Sequence, residues 1–318
     1  MDNVAMPRIG ISTCLMGENV RYDGGHKLDR FIRNTLGKYV QFVPVCPEVE
    51  CGMSVPREAL RLVGDPDNPS LVTIKTRRDY TNQMQTWGRQ RLGQLETENL
   101  SGYIFKSKSP SSGMQRIKVY NEKGQPMPKG VGIWARMFMD HFPLLPVEDD
   151  GRLNDPVLRE NFITRIFVFA AWRKLLTANK TPKGLVDFHT RHKLLIMAHH
   201  VPTYREMGKL VANQENRPKD ELFALYQDRL IYALSLKQTV KKNVNVLQHA
   251  AGYFKKDLTA DEKKELQEII ENYRQFLVPL IVPATLINHY VRKYEKTYLR
   301  DQVYLYPHPL ELKLRNHV

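Results

Sequence analysis

Residues 44–55, Pro44-Val45-Cys46-Pro47-Glu48-Val49-Glu50-Cys51-Gly52-Met53-Ser54-Val55, continue a short apolar run (Phe42, Val43, Val45) and set a thiol and a carboxylate two residues apart. The apolar run reads as the end of a buried β-strand, so Cys46 and Glu48 fall at the mouth of a βα turn. In open α/β sheets, turns at the carboxyl ends of strands are where ligands bind. Two other stretches share this build. Residues 9–27 (IGISTCLMGENVRYDGGHK) and 103–118 (YIFKSKSPSSGMQRIK) each pass from a short apolar strand into a polar loop punctuated by Gly or Pro. Cys14 and Cys46 thus each follow a predicted strand, which would place both at one edge of a sheet.

The segments between them alternate in kind. Residues 29–40 carry Phe31, Ile32, Leu36 and Val40 at helical spacing. Residues 56–62 read as a short helix opened by Pro56, 70–76 as an edge strand, and 79–99 as an amphipathic helix. A Gly/Pro-rich loop at 121–132, a last helix at 133–142 and a connector at 147–151 complete this half. The alternation predicts an α/β domain over residues 1–150, doubly wound with a mostly parallel sheet. From about Asn154 the texture changes to successive helical patterns at 158–176, 185–199, 204–212, 219–236, 237–254, 260–276 and 283–296. Strand signals nearly vanish, so residues 151–318 are predicted to be an all-α domain.

A length of 318 residues suits two domains of ordinary size, and 42% hydrophobic with 26% charged residues is a soluble globular composition. No run of 18 apolar residues is present, so no membrane span is expected. The first residues show no basic segment leading into an apolar one, and a cytoplasmic location is expected. Three cysteines argue against a disulfide framework and for metal or redox use. The net charge of +14 is unevenly spread. Residues 1–150 hold 20 Lys+Arg against 17 Asp+Glu (+3), and residues 151–318 hold 28 against 17 (+11). A one-sided cationic excess favours polyanions through counterion release, which points the helical domain toward nucleic acid rather than a merely solvated surface.

A lone buried cysteine is usually a small hydrophobe, whereas two at equivalent strand ends are better explained as metal ligands. Cys51, in a C-x4-C spacing with Cys46, suits either the same metal or a packed structural thiol. Glu48 suits a general base beside a metal, or an acid that simply stabilises a helix N-terminus. The loop Lys106-Ser107-Lys108-Ser109-Pro110-Ser111-Ser112-Gly113 is dense in hydroxyls and cations and suits an anion or a polar ring substituent.

Taken together, CLMGENVRYDGGHK, PVCPEVECGM and KSKSPSSG resemble, in order, the motifs of the thiouracil desulfidase family. The remainder resembles a small helical domain found alone or fused behind this one, through GLVDFHTRHKLLIMAHHVPTYREMGKLV, NVLQHAAGYFKKDL, VPATLINHYVRKY and TYLRDQVYLYP. The fusion is similar to the tRNA 4-thiouridine desulfidases. The resemblance implies a [4Fe-4S] cluster on three cysteines, with one iron open to the substrate sulfur. It makes Cys14 and Cys46 two of the ligands, Glu48 the catalytic carboxylate and Ser109 a catalytic serine. The third ligand departs from the family pattern SPSCG, because the matching position is Ser112. A serine oxygen is a harder and less acidic donor than a thiolate and holds iron poorly. Three arrangements remain open: a Cys-to-Ser variant with an impaired cluster, substitution by Cys51, or ligation by Ser112 as an alkoxide.

The implied reaction exchanges the C4 sulfur of 4-thiouridine for oxygen without net redox change, with Glu48 taking a proton from water and Ser109 bonding the ring or relaying the proton. The implied partner is tRNA, whose thiolated nucleotide would leave its stack to reach the pocket. His189, Arg191, His192, Lys193 and Arg205 are the candidate RNA contacts, with the two histidines open to a second reading as hydrogen-bonded core groups. Desulfuration of free thiouracil or its nucleotide, or RNA binding without catalysis, are the competing expectations.

Overall fold

A computed structural model describes residues 6–213 and 215–317, and the chain divides into two compact units, Met1–Asp155 and Pro156–Val318. In the first unit, strands β1 (Arg8–Ser12), β2 (Gln41–Val45), β5 (Leu100–Phe105) and β8 (Val147–Asp149) form a wholly parallel sheet in the order β2-β1-β5-β8. All six residues of β5 are buried, as expected of an inner parallel strand covered on both faces. Helices α2 (Thr81–Glu96) and α3 (Ile133–His141) pack against each other. The α2 face buries Met84, Gly88, Leu92 and Leu95 at steps of four, four and three, and an added Cβ at Gly88 would meet Met137 Cε at 2.8 Å. The α3 aromatics reach the sheet: Phe138 lies 4.4 Å from the Tyr103 ring, and Trp134 Nε1 donates to Tyr103 OH at 3.2 Å.

A second sheet, β4-β3-β6-β7, was not anticipated as a separate body. It comprises β3 (Leu60–Asp65), β4 (Asn68–Thr73), β6 (Ile117–Tyr120) and β7 (Pro126–Gly130), with one parallel pair between two antiparallel ones. Three local readings are corrected here. The helix read over residues 56–62 is not formed, and its last three residues open strand β3: their helix-compatible composition yields to pairing with both β4 and β6, which buries Leu62 between Leu71 and Val119. The 121–132 loop contains β7, whose Pro126 and Pro128 are tolerated because β7 is an edge strand. The 147–151 connector carries β8, the edge of the parallel sheet. The edge strand read near residues 70–76 is found as β4. The 29–40 segment winds as a π turn (Phe31–Thr35) and a 3₁₀ turn (Leu36–Lys38), and it buries Ile32, Leu36 and Val40 as its spacing implied. Cys46 opens a one-turn helix, α1 (Pro47–Glu50).

The second unit is helical throughout its regular elements. It holds α4 (Pro156–Ala178), α5 (Pro182–His199), α6 (Val201–Ala212), α7 (Lys219–Ser235), α8 (Val240–Gly252), α9 (Ala260–Arg274), α10 (Ile281–Lys293) and α11 (Thr297–Arg300). Thr181, Thr239 and Thr259 cap helix starts with their side-chain oxygens, and Thr259 with Glu262 forms a capping box. The α5 helix packs on α4, α6, α7 and α8 and is the most enclosed element. No helix among the described residues is long and apolar enough to cross a membrane.

This packing can be probed in each unit. An added Cβ at Gly132 would lie 2.5 Å from the backbone oxygen of Ser111, and the Gly132 N–H donates to Gly113 O at 2.8 Å. Gly132→Ala is expected to destabilise the first unit by about 1–3 kcal/mol in denaturant unfolding, because a fixed backbone rather than a flexible side chain must give way. In the second unit, burial pulls the imidazoles of His189, His192 and His199 down to about 4. The unfolded chain binds protons on these groups near the ordinary histidine value. Their stabilisation is therefore complete above about pH 6.5 and is lost as pH falls toward 4. Unfolding midpoints measured across that window should drop steeply, and His199→Gln should flatten the slope by about one proton's worth.

Candidate active site

Register in the parallel sheet fixes what meets at its carboxyl edge. Ser12 pairs with Val45, Ile11 with Ile104, and Phe105 with Asp149. The loops that leave this edge therefore carry Cys14, Cys46, the Lys106–Gly113 stretch and Asp150. The Ser12 hydroxyl accepts the Lys106 N–H at 2.9 Å, which extends the β1–β5 pairing by one step. Lys106 Nζ then bonds Asp150 Oδ2 at 2.7 Å and Ser107 Oγ at 3.0 Å, while Asp150 Oδ1 accepts the Ser107 N–H at 2.6 Å.

Cys14 and Cys46 are partly exposed free thiols. Burial pushes the Cys14 thiol up to about 11, against the pull of the Lys106 cation and with a further push from Cys46. Burial raises Cys46 as well, with Glu48 adding to it and Arg57 opposing. In both, burial favours the thiol over the thiolate. The Cys46 N–H donates to Glu50 Oε1 at 2.7 Å, and its sulfur lies 4.0 Å from Val20 O, close to the loop that follows Cys14. Cys51 is placed differently. It is buried in an apolar cluster with Met53, Leu62 and Met84, and its thiol donates to Glu48 O at 3.3 Å. Of the two readings left open for it, the structure has the packed thiol. Among the described residues, no three His, Cys, Asp or Glu side chains gather so as to hold a metal ion.

Glu48 and Ser109 are brought to the same corner by a third group. Ser111 Oγ donates to Glu48 Oε1 at 2.6 Å, and Ser109 Oγ lies 2.9 Å from Ser111 Oγ. The other carboxylate oxygen of Glu48 accepts from Arg57 Nε at 2.9 Å and from Arg57 Nη2. Arg57, with its side chain only 7% exposed, also donates to the carbonyls of Val20 (3.0 Å) and Ser54 (3.2 Å). It thereby ties the Cys14 loop to the Glu48 turn. The backbone N–H of Ser112 donates to Ser109 Oγ at 3.1 Å, and Ser112 itself is buried at 3% exposure. Sequence reasoning singled out neither Arg57 nor Ser111 nor Asp150. Ser111 lay inside a quoted motif, but Arg57 and Asp150 carry no local signal, since their roles depend on which strand ends become neighbours.

The candidate RNA contacts divide in two. His189 and His192 are buried: His189 Nδ1 lies 3.1 Å from Tyr226 OH, and His192 Nδ1 donates to Phe188 O at 2.7 Å while its ring stacks on Phe188. They are core groups and are withdrawn from the surface set. Arg191 and Arg205 are exposed, and Lys193 lies half-buried with its ammonium 4.7 Å from the centre of the Tyr298 ring.

Comparison with known proteins bears on this corner. The family described as 2-thiouracil desulfurase matches residues 9–150, and one described as a protein of unknown function, DUF1722, matches residues 193–309. The chain is 31% identical over 158 residues to the protein YbgA of Escherichia coli (strain K12), covering 49% of this chain and 94% of that protein. It is 30% identical over 108 residues to YbbK of Bacillus subtilis (strain 168), covering 32% of this chain and 71% of that protein. A solved structure described as the [4Fe-4S]-dependent thiouracil desulfidase TudS is 26% identical, with a TM-score of 0.40, covering 48% of this chain and 97% of that one. By its residues 9–150, which hold both strand-end thiols, Glu48 and the serine loop, the chain belongs to the 2-thiouracil desulfurase family.

Proposed function

We propose that the chain is a desulfidase acting on 4-thiouridine in tRNA, replacing the thiocarbonyl sulfur with the oxygen of water and releasing one molecule of hydrogen sulfide for each water consumed. The observation that carries this reading is the convergence of Cys14, Cys46, Glu48 and the serine loop at one edge of the parallel sheet, within a domain of the 2-thiouracil desulfurase family. The reaction needs no electron donor. It needs a soft partner for sulfur, a water positioned against the ring carbon and a path for its proton. Lys106, held by Asp150 beside Cys14, supplies a fixed positive charge for an electron-rich ring oxygen or a phosphate.

The cofactor of this reading is a [4Fe-4S] cluster. Its test is the donor set, and the donors agree at two corners only. Cys14 and Cys46 are soft sulfur donors on adjacent strands. The third corner falls at Ser112, a hydroxyl, and Cys51 is turned into the apolar cluster. The residues present do not fit a cluster held by three thiolates, so the roles assigned here rest on the chain's own side chains.

The RNA half of the proposal rests on charge. The +11 balance of residues 151–318 favours phosphate contacts that position an RNA without reading its sequence, with Arg191, Lys193 and Arg205 as contributors. A second reading, desulfuration of free thiouracil, is favoured by the description of the family itself.

Anaerobic reconstitution of the chain beside its Ser112→Cys form tests the donor set. The variant is expected to retain about four irons with broad visible absorbance, and the parent chain clearly less. Equal iron in both would remove Ser112 from the site. With reconstituted Ser112→Cys, loss of the near-ultraviolet absorbance of 4-thiouridine in tRNA is expected, and deletion of residues 156–318 should abolish it. Turnover of free thiouracil alone, undisturbed by that deletion, would favour the second reading.

A further inference from the structure

The hydrogen bonds around Glu48 have a direction, and the direction assigns a residue that neither the motif nor the reaction names. A carboxylate only accepts, so the 2.6 Å contact with Glu48 Oε1 consumes the single proton of Ser111 Oγ. The 2.9 Å contact between the two hydroxyls must then be donated by Ser109. The Ser109 oxygen in turn faces two backbone donors, the N–H groups of Ser112 at 3.1 Å and of Ser111 at 3.3 Å. In the resting state Ser109 has its proton pointed at Ser111 and its oxygen anchored by these two backbone N–H groups. Both oxygens of Glu48 are engaged: Arg57 donates to Oε2 through two nitrogens and Ser111 donates to Oε1. Its connection to Ser109 runs through the Ser111 hydroxyl.

We infer that Ser111 is the positioning residue through which Glu48 acts on Ser109, completing a one-way chain from the Ser109 hydroxyl through the Ser111 hydroxyl to the carboxylate. The inference rests on the desulfidase reading for its substrate but on the chain's own hydrogen bonds for its geometry. As water forms its C–O bond, one of its protons passes to Ser109 Oγ, at the lone pair that the longer, 3.3 Å contact from the Ser111 N–H gives up. The Ser109 proton passes to Ser111 Oγ, and the Ser111 proton passes to Glu48 Oε1, while the second water proton stays on the new carbon-bound hydroxyl. One proton enters and one arrives, so neither serine changes charge. As the C–S bond breaks and the carbonyl forms, the second water proton moves from the carbon-bound hydroxyl to the sulfur, and the carboxylic acid returns the first along the same path, so that the sulfur leaves as hydrogen sulfide. Arg57 takes no proton; it holds the carboxylate so that Oε1 faces Ser111.

Two measurements test this separately from the desulfidase reading. In the full-length chain at rest, the Ser111 hydroxyl should appear in proton NMR as a slowly exchanging downfield resonance, lost in Glu48→Ala and retained in Ser109→Ala. A Ser111 hydroxyl that exchanges as fast as that of a free serine overturns the chain, whether or not the protein turns over. In turnover of 4-thiouridine or thiouracil, in the Ser112→Cys background, Ser111→Ala should lower kcat by roughly 10²-fold with KM nearly unchanged, and Ser111→Thr should recover most of the loss. The solvent isotope effect should change from a curved, multi-proton dependence on deuterium fraction to a linear one in Ser111→Ala. An undiminished kcat in Ser111→Ala overturns the inference and leaves the desulfidase reading standing. Absence of sulfide from the Ser112→Cys parent sinks that reading instead, and the resting-state resonance then decides the chain alone.

Discussion

Parallel pairing of β1 with a neighbour on each side is the constraint from which the rest of the first unit follows. β1 lies between β2 and β5, all three run in one direction, and their registers are closely aligned at the carboxyl ends. The loops that carry Cys14, Cys46 and Lys106 must then leave the sheet at one edge. An antiparallel neighbour would send its loop to the far edge, and thiol, carboxylate and serine loop would be separated by the length of the strands. The Ser12 hydroxyl reinforces the alignment by holding the first amide of the serine loop.

What stands at that edge is expensive to bury and is kept because it is satisfied. Arg57 and Glu48 are largely enclosed, and taking two such ions out of water costs more than their attraction returns unless the remaining donors and acceptors are met. Here the guanidinium also serves two backbone carbonyls, and the carboxylate also accepts from Ser111. Lys106 and Asp150 repeat the pattern one strand further along, with Ser107 as the additional partner. A corner built this way is rigid, which suits a role in aiming small groups such as water. At Cys14, by contrast, burial favours the uncharged thiol and outweighs the pull of Lys106.

The parts of this architecture that were legible in the sequence are those written in local pattern. Apolar runs ending in Cys14 and Cys46 gave strand ends, and the helices of the second unit follow from the spacing of their apolar residues. The parts that were not legible depend on partners far along the chain. Leu60–Asp65 has a helix-compatible composition and becomes a strand because β4 and β6 lie on either side of it. Pro126 and Pro128 look like loop residues and lie in a strand because only one side of β7 needs pairing. Basic and imidazole side chains on α5 looked like one RNA-facing set, yet the enclosed position of α5 turns His189 and His192 inward and leaves Arg191 at the surface. For the site itself, the sequence carried the residue types but not the connections. Arg57 and Ser111 become meaningful only once their hydrogen bonds to Glu48 are seen.

Position 112 shows how a site can lose one property and keep another. Its side chain stands at the position matched to the cysteine of the SPSCG pattern, which the proposed reading makes a ligand, while its backbone N–H holds the Ser109 oxygen. The backbone group is the same in serine and cysteine, and the two side chains differ in little but the size and softness of one atom. An exchange between them therefore leaves the serine loop, the Glu48 contact and the Gly132 approach as they are, and alters the softness of the side-chain donor. The hydrogen-bonded half of the site and the sulfur-binding half are thus separable by a single atom. The intact half is the one whose geometry the structure specifies most closely.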